Sequence, residues 1–292
     1  MQEAEATVLL TPEQTARLRE MELYLLRAFL SVCETLQLHP FLVQGSLLGA
    51  VRHRGFIPWD DDVDVGMGRT EYEVFIQNAQ ELLPEDVFLQ TQETDPAYPH
   101  CFAKLRLNGT VFMEATCRRL PMHHGVFLDI FPFDNYPDNA FSAVFYDLKK
   151  LLIRYRVREV YDIPSDAKRS PQNILRRMLR WASKRCYASV QDAQRAQKKL
   201  YEAVPAGKRV INNGSPWGKR ERIPAQWIEK GAFLEFEGIR VPVPAAYDAY
   251  LRHVYGDYLT LPPESKRVAH HYLARLDLGE AAKENTSARK AN

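Results

Sequence analysis

Cysteine is scarce in this chain of 292 residues, and the four present, Cys33, Cys101, Cys117 and Cys186, show neither CxxC spacing nor a Cys/His ligand pattern. That spacing suggests neither a disulfide framework nor a zinc site, and the four read as buried or free thiols in a reducing compartment. Long apolar runs are also missing: none approaches the roughly 18 residues of a membrane span. The N-terminus, MQEAEATVLL, carries acids where a signal peptide needs basic residues. A cytoplasmic protein is expected, soluble or held peripherally at the inner face of a membrane. Charge of one sign is lacking too, with 39 Lys and Arg against 37 Asp and Glu and a formal net charge of +2. Nucleic acid is therefore not an expected partner, since no recognisable binding motif compensates for the missing basic excess. With 46% hydrophobic and 26% charged residues, no internal repeat and no clear linker, the chain reads as one elaborated globular domain.

What is present centres on residues 44–67, QGSLLGAVRHRGFIPWDDDVDVGM. The strand period of two places Asp60, Asp62 and Asp64 on one face and Val63 and Val65 on the other. A row of carboxylates repels itself and resists desolvation unless a cation sits among it, and a divalent ion with oxygen ligands suits that need. Magnesium fits, because it is commonly held by carboxylates together with substrate phosphates. A solvated acidic loop is the competing reading. The flanking Ile57-Pro58-Trp59 and the alternating valines favour a partly buried strand.

Along the chain, Thr11, Pro12 and Gln14 predict a helix start with a capping box. Leu18, Met21, Leu25, Phe29, Val32 and Leu36 then recur at helical spacing, as a scaffold helix requires. Phe41–Val43 reads as a strand delivering Gly45 and Ser46 to a turn that could hold a phosphate oxygen, although Ser46 could equally be a plain N-cap. Thr70 and Glu73 predict a second capping box, and 87–90 a strand. Residues 101–114 read as a hairpin turning at Asn108-Gly109. On its first strand Phe102, Lys104 and Arg106 share a face, either a solvated face or cations for a nucleotide's phosphates. In the strand 125–131, Asp129 interrupts an apolar run and is the leading third acidic ligand, with Asp134 as fallback. His123 and His124 lack ligand spacing and read as loop or edge residues.

Residues from 141 to about 161 and from 170 to about 204 read as helices, the second opening at Ser170-Pro171. Its Arg176, Arg177, Arg180, Lys184 and Arg185 form either a solvated face or a contact for an anionic polymer or membrane surface. A loop at 212–216, a hairpin over 233–243 turning near Glu237-Gly238, and a helix from Pro244 to Tyr255 stopped by Gly256 follow. Then comes YGDYLTLPPESKRVAHH, a loop dense in Tyr, Asp, Pro, Lys and His. Residues 280–292 read as a polar, disordered tail.

Three of these stretches, GSLLGAVRHRGFIPWDDDVDVGM, GVFLDIFPFD and YGDYLTLPPESKR, together resemble the LicD family of phosphotransferases, whose distant relatives include fukutin and fukutin-related protein. The resemblance implies an α+β, nucleotidyltransferase-like fold: a mixed sheet flanked by helices, with a helical insertion at about 141–204 and a C-terminal extension, all within residues 1–279. It places Gly45 and Ser46 at the donor, and Asp62, Asp64 and Asp129 as catalytic residues and metal ligands for one or two magnesium ions, or manganese in their place. The gap between Ser46 and Asp62 exceeds that of compact nucleotidyltransferases, so 52–56 is expected to form an inserted loop over the donor. The implied reaction moves a phospho-alcohol, phosphocholine first, from a CDP-activated donor to a hydroxyl of a surface glycan or lipid-linked glycan such as teichoic acid or lipopolysaccharide. Lys104 and Arg106, with help from Arg52, would stabilise donor phosphates. Asp129 could also be the base. Tyr255, Asp257, Tyr258, Lys266 and Arg267 would close one side, where aromatic faces could hold choline by cation–π contact, or else form a packed Pro and Tyr corner. The alternatives are ribitol phosphate or glycerol phosphate transfer, nucleotidyl transfer, and an inactive binding module of the same fold.

Overall fold

The computed structural model describes residues 10–160, 171–269 and 271–279, without the side chains of 171–173. The tail at 280–292 and the Ser170 helix cap lie outside the described residues.

The chain opens with α1 (Pro12–Thr35), whose start is the expected reciprocal cap: Gln14 N–H donates to Thr11 Oγ1 at 3.2 Å, and Thr11 N–H to Gln14 Oε1 at 2.9 Å. Such a cap is worth about 1 kcal/mol. Leu18, Leu25, Leu26, Phe29 and Val32 bury one face of α1. Then come β1 (Phe41–Leu42), α2 (Gln44–His53), β2 (Asp64–Gly68), α3 (Arg69–Asn78), β3 (Val87–Gln90), β4 (Ala103–Leu107), β5 (Val111–Glu114) and β6 (Phe127–Tyr136). α4 (Ala140–Val157), α5 (Pro171–Cys186) and α6 (Val190–Glu202) are the helical stretch. They lead to β7 (Arg209–Asn212), β8 (Arg222–Pro224), β9 (Gly231–Phe236), β10 (Ile239–Pro244), α7 (Tyr247–Tyr255) and β11 (Leu273–Asp277).

The main sheet is mixed, in the order β1-β2-β6-β4-β3, with β7 and β8 continuing from the far half of β6. β6 is its spine: β2 runs parallel on one side, and β4 then β7 run antiparallel on the other. The mixed α+β fold expected from the resemblance is present. A β9–β10 hairpin turns through Glu237 and Gly238, both at positive φ, as the sequence predicts.

Several local expectations are corrected. β4 and β5 do not form a hairpin ladder, because β3 and β6 occupy both edges of β4; after the Gly109 turn, β5 pairs with β11 instead. α3 starts at Arg69 with Gly68 as cap, so Thr70 and Glu73 form no capping box; Glu73 instead pairs with Arg69 at 2.8 Å. The long helix expected to 204 breaks between α5 and α6, where Ser189 caps α6 by accepting from Asp192 N–H, and Arg156 donates to the Tyr187 and Ala188 carbonyls. The loop expected over 52–56 is shorter, because Arg52 and His53 belong to α2. Arg54 caps α2 in the left-handed region, Phe56 and Ile57 are buried, and Phe56 N–H donates to Glu237 on the hairpin turn.

Candidate active site

The sheet register assembles the site. Asp64 on β2 faces Asp129 on β6, Asp129 faces Lys104 on β4, and Lys104 faces Gln90 on β3. One transverse row of the sheet is therefore polar across four strands, flanked by buried apolar residues of the same strands. Of the expected third carboxylates, Asp129 joins this row. Asp134 does not: it is fully buried and engaged by Arg69 at 2.6 Å and Asn213 at 2.7 Å.

Asp60, Asp61 and Asp62 precede β2, and their carboxylate oxygens can converge within 4.8 Å of one another. The extended alternation expected for Asp60 to Asp64 thus begins as a strand only at Asp64. Gly45 explains how the cluster packs. A Cβ there would lie 2.4 Å from Asp60 Oδ2, so only glycine lets this carboxylate approach α2. Ser46 lies within the first turn of α2 and is not its cap; Asp64 N–H donates to its Oγ at 2.8 Å. Gln44, just before, has φ of 48°, rare for a residue with a side chain.

Carboxylates gathered this way resist ionisation. Burial first, then Asp62, Asp129 and Asp60, push the Asp64 carboxyl well above its ordinary range, and burial with Asp62 and Asp61 does the same to Asp60. Asp62 is pushed up to about 6, chiefly by burial, with His271 pulling the other way. Asp129 is raised by burial and partly restored by Lys104. Asp61 Oδ2 has no hydrogen-bond partner. The converging oxygens of Asp60, Asp61 and Asp62, with the orphaned Asp61 Oδ2, fit a hard divalent cation, and after burial Asp129 lies near enough to help raise the carboxyls of both Asp62 and Asp64.

Three groups not foreseen as site residues belong here. His271 Nδ1 donates to Asp61 Oδ1 at 3.0 Å, while its Nε2 lies 3.9 Å from both Asp62 Oδ2 and Glu114 Oε1. Burial opposes its charge, but the bond to Asp61 and the nearby Asp62 and Glu114 raise its pKa to about 10, so it is an imidazolium at neutral pH. Glu114, at the end of β5, is held down to about 2: burial works against its charge, and Lys104 and His271 outweigh it. Glu22 is a carboxylate on the buried face of α1, raised by burial and then by Asp62, Asp61 and Asp60, with Oε2 unpartnered. The signal for Glu22 was in the sequence, as a charge four residues from Leu18 on an apolar stripe.

The expected cations behave differently from the expectation. Lys104 is only 2% exposed, 2.8 Å from Asp129 Oδ1, 3.8 Å from Glu114 Oε2 and 3.4 Å from the Phe127 ring centroid. It neutralises the row from inside. Arg106 is fully buried, donating to Gln90 at 2.7 Å and the Gly125 carbonyl at 2.8 Å, so it does not face a substrate. The β5–β11 layer covers that face of β4: Phe112 and His271 pack edge-on against Phe127. Accessible cations come instead from Arg52 and Arg267, close enough that Arg267 helps lower the Arg52 pKa, after burial. Arg52 also donates to the Tyr258 carbonyl at 2.8 Å, and Arg267 lies over Trp59 at 5.6 Å.

The remaining C-terminal residues divide. Tyr255 is raised by burial and then by Glu221, Asp64, Asp60 and Asp62, and its ring packs edge-on against Trp217 at 5.3 Å. Tyr258 turns its hydroxyl to Asp248 at 2.7 Å, a packing role. Asp257 is exposed and accepts from Thr260, and Lys266 is exposed. His100, Glu114 and Cys117 also converge. Burial keeps His100 neutral, down at about 3, and the Cys117 thiol protonated, up at about 11, so the group reads as packed interior.

Residues 37–160 match the family model described as LicD/FKTN/FKRP, nucleotidyltransferase domain. Over 260 residues the chain is 31% identical to the lipopolysaccharide cholinephosphotransferase LicD of Haemophilus influenzae, spanning 87% of this chain and 96% of that protein. Over 133 residues, 43% of each chain, it is 33% identical to an uncharacterised protein of Rickettsia prowazekii. The fold, the polar row that crosses it and the extent of these similarities agree: the chain belongs to the LicD family of phosphotransferases.

Proposed function

We propose that the chain transfers a phospho-alcohol, phosphocholine from CDP-choline, to a hydroxyl of a cell-surface glycan of the lipopolysaccharide type. Asp62, Asp64 and Asp129 would hold magnesium, or manganese in its place. The observation that carries this reading is the pairing of Asp64 with Asp129 across parallel strands, beside the converging oxygens of Asp60 to Asp62. The name of the Haemophilus relative, a lipopolysaccharide cholinephosphotransferase, supports phosphocholine as the group and lipopolysaccharide as the acceptor.

A divalent ion in this donor set would offset the charge that builds on the transferred phosphate and orient its oxygens. The chain's own residues do the rest. The first turn of α2, with the Ser46 hydroxyl, offers donors to phosphate oxygens, and Arg52 with Arg267 supplies positive charge at the open side. Lys104 fixes the Asp129 carboxylate from behind. Asp129 takes the proton of the acceptor hydroxyl as that oxygen bonds to phosphorus and CMP departs.

The test is CMP release from CDP-choline with lipopolysaccharide as acceptor, by wild type and Asp62→Ala. The variant should lose about a thousandfold or more, equivalent to roughly 4 kcal/mol of barrier. Undiminished turnover sinks the assignment, and pyrophosphate release from a nucleoside triphosphate would mean nucleotidyl transfer instead. Comparing CDP-ribitol and CDP-glycerol as donors decides the alcohol.

A further inference from the structure

Two adjoining helices carry apolar side chains on the side turned away from the protein. On α4, Tyr146, Ile153 and Val157 are buried among α6 residues and their neighbours, whereas Phe141, Val144, Phe145, Leu148 and Leu151 occupy the opposite side and are exposed. Their three- and four-residue spacing makes one stripe. α5 packs beside α4 and repeats the pattern. Its Ile174, Leu175, Met178 and Trp181 share a face and are 60%, 58%, 62% and 68% exposed, while Ser183 opposite them is buried. Scattered exposed apolar residues are ordinary; two stripes on neighbouring helices mark an interaction surface.

The charge beside these stripes selects the partner. α5 carries Arg176, Arg177, Arg180, Lys184 and Arg185 and no acidic residue. Glu159 approaches Arg180 at 3.6 Å and Lys184 at 3.3 Å, which leaves the helix strongly cationic. A second copy of the chain would bring like charge against like. An anionic bilayer offers both an apolar layer and negative headgroups, and a helix whose Trp181, Met178, Leu175 and Ile174 stripe is backed by Arg176, Arg180 and Lys184 and edged by Arg177 and Arg185 suits its interface. No helix of the described residues is long and apolar enough to cross a membrane, so the contact is in-plane.

We propose that α4 and α5 dock the protein on an anionic lipid surface through these stripes, with α5 lying in the headgroup region. The inference does not depend on which group the active site transfers. Vesicles of phosphatidylcholine mixed with phosphatidylglycerol, and of phosphatidylcholine alone, provide the test by co-sedimentation. Wild type should sediment with the anionic vesicles, less at high salt, and little with the neutral ones. The doubly substituted Met178→Glu, Trp181→Glu protein should bind more than about tenfold more weakly. Arg177→Glu with Arg185→Glu should bind more weakly too and lose most of the salt dependence. All four positions are exposed, so melting curves should match wild type. Should the first variant fail to fold, the second carries the test. Failure of wild type to sediment with anionic vesicles at low salt overturns the proposal, as does binding that neither variant weakens. A vesicle-free dimer that Met178→Glu and Trp181→Glu dissolve would overturn it as well, by giving the face to a second copy.

Discussion

Replacing Lys104 by Met keeps most of the side-chain volume and removes the one charge that neutralises the polar row from within. In the native protein its ammonium lies 2.8 Å from Asp129 and 3.8 Å from Glu114 and is 2% exposed. Breaking a buried pair by removing one partner costs about 3–5 kcal/mol, because the remaining charge is left uncompensated. For a chain of 292 residues that corresponds to a drop in melting temperature of roughly 5–8 °C. The loss should depend on pH. Asp129 already has a folded pKa above its unfolded value, so the native state holds extra proton in that window and stability falls as pH rises through it. Lys104 works against that rise, so its removal widens the window. Thermal unfolding in chelator at pH 5.5 and pH 8 measures both effects, with the larger loss expected at pH 8. Adding Asp129→Asn should restore much of the stability, a coupling that a double-mutant cycle reads directly. A loss below about 1 kcal/mol at both pH values, or one that Asp129→Asn deepens, would refute the pairing.

Gly45→Ala would place a methyl 2.4 Å from Asp60 Oδ2, so turnover should fall severalfold or more with only a modest loss of melting temperature; wild-type kinetics would remove Gly45 from the site. Glu221 is fully buried and accepts from Tyr250 at 2.9 Å, yet burial pushes its carboxyl up to about 7. Its folded pKa exceeds the unfolded one, so the stability it lends at acid pH is lost as pH climbs toward 7. Glu221→Gln should therefore be more stable than wild type at pH 8, by roughly 3 kcal/mol, and an unchanged pH slope between 5 and 8 would contradict this.

Much of this architecture was legible because local chemistry and fold agreed. Thr11 and Gln14 capped α1, Glu237-Gly238 turned a hairpin, Gly256 stopped α7, and Asp129 stood out as a charge in an apolar run beside the Asp62 and Asp64 motif. What could not be read was decided by long-range pairing. Asn108-Gly109 is a good turn in either topology; only the occupancy of both edges of β4 sends β5 to β11. That choice buries Lys104 and Arg106, which spacing alone left open between solvent and phosphate. It also brings Glu114 and His271 together from positions 157 residues apart, a juxtaposition no local pattern encodes. Arg52 and Arg267 meet for the same reason.

The central claim, a divalent-cation site built on Asp62, Asp64 and Asp129, is tested most directly by calorimetric titration of magnesium into wild type and Asp64→Asn. Wild type should bind saturably and release protons, because its carboxyls sit above their ordinary pKa range, and binding should weaken as pH falls through about 6, where Asp62 protonates. Asp64→Asn should lose the binding while melting higher than wild type in chelator, since it removes one of the mutually repelling buried carboxylates. Equal magnesium binding by the two proteins, or no binding by wild type with CDP-choline present, would contradict the account.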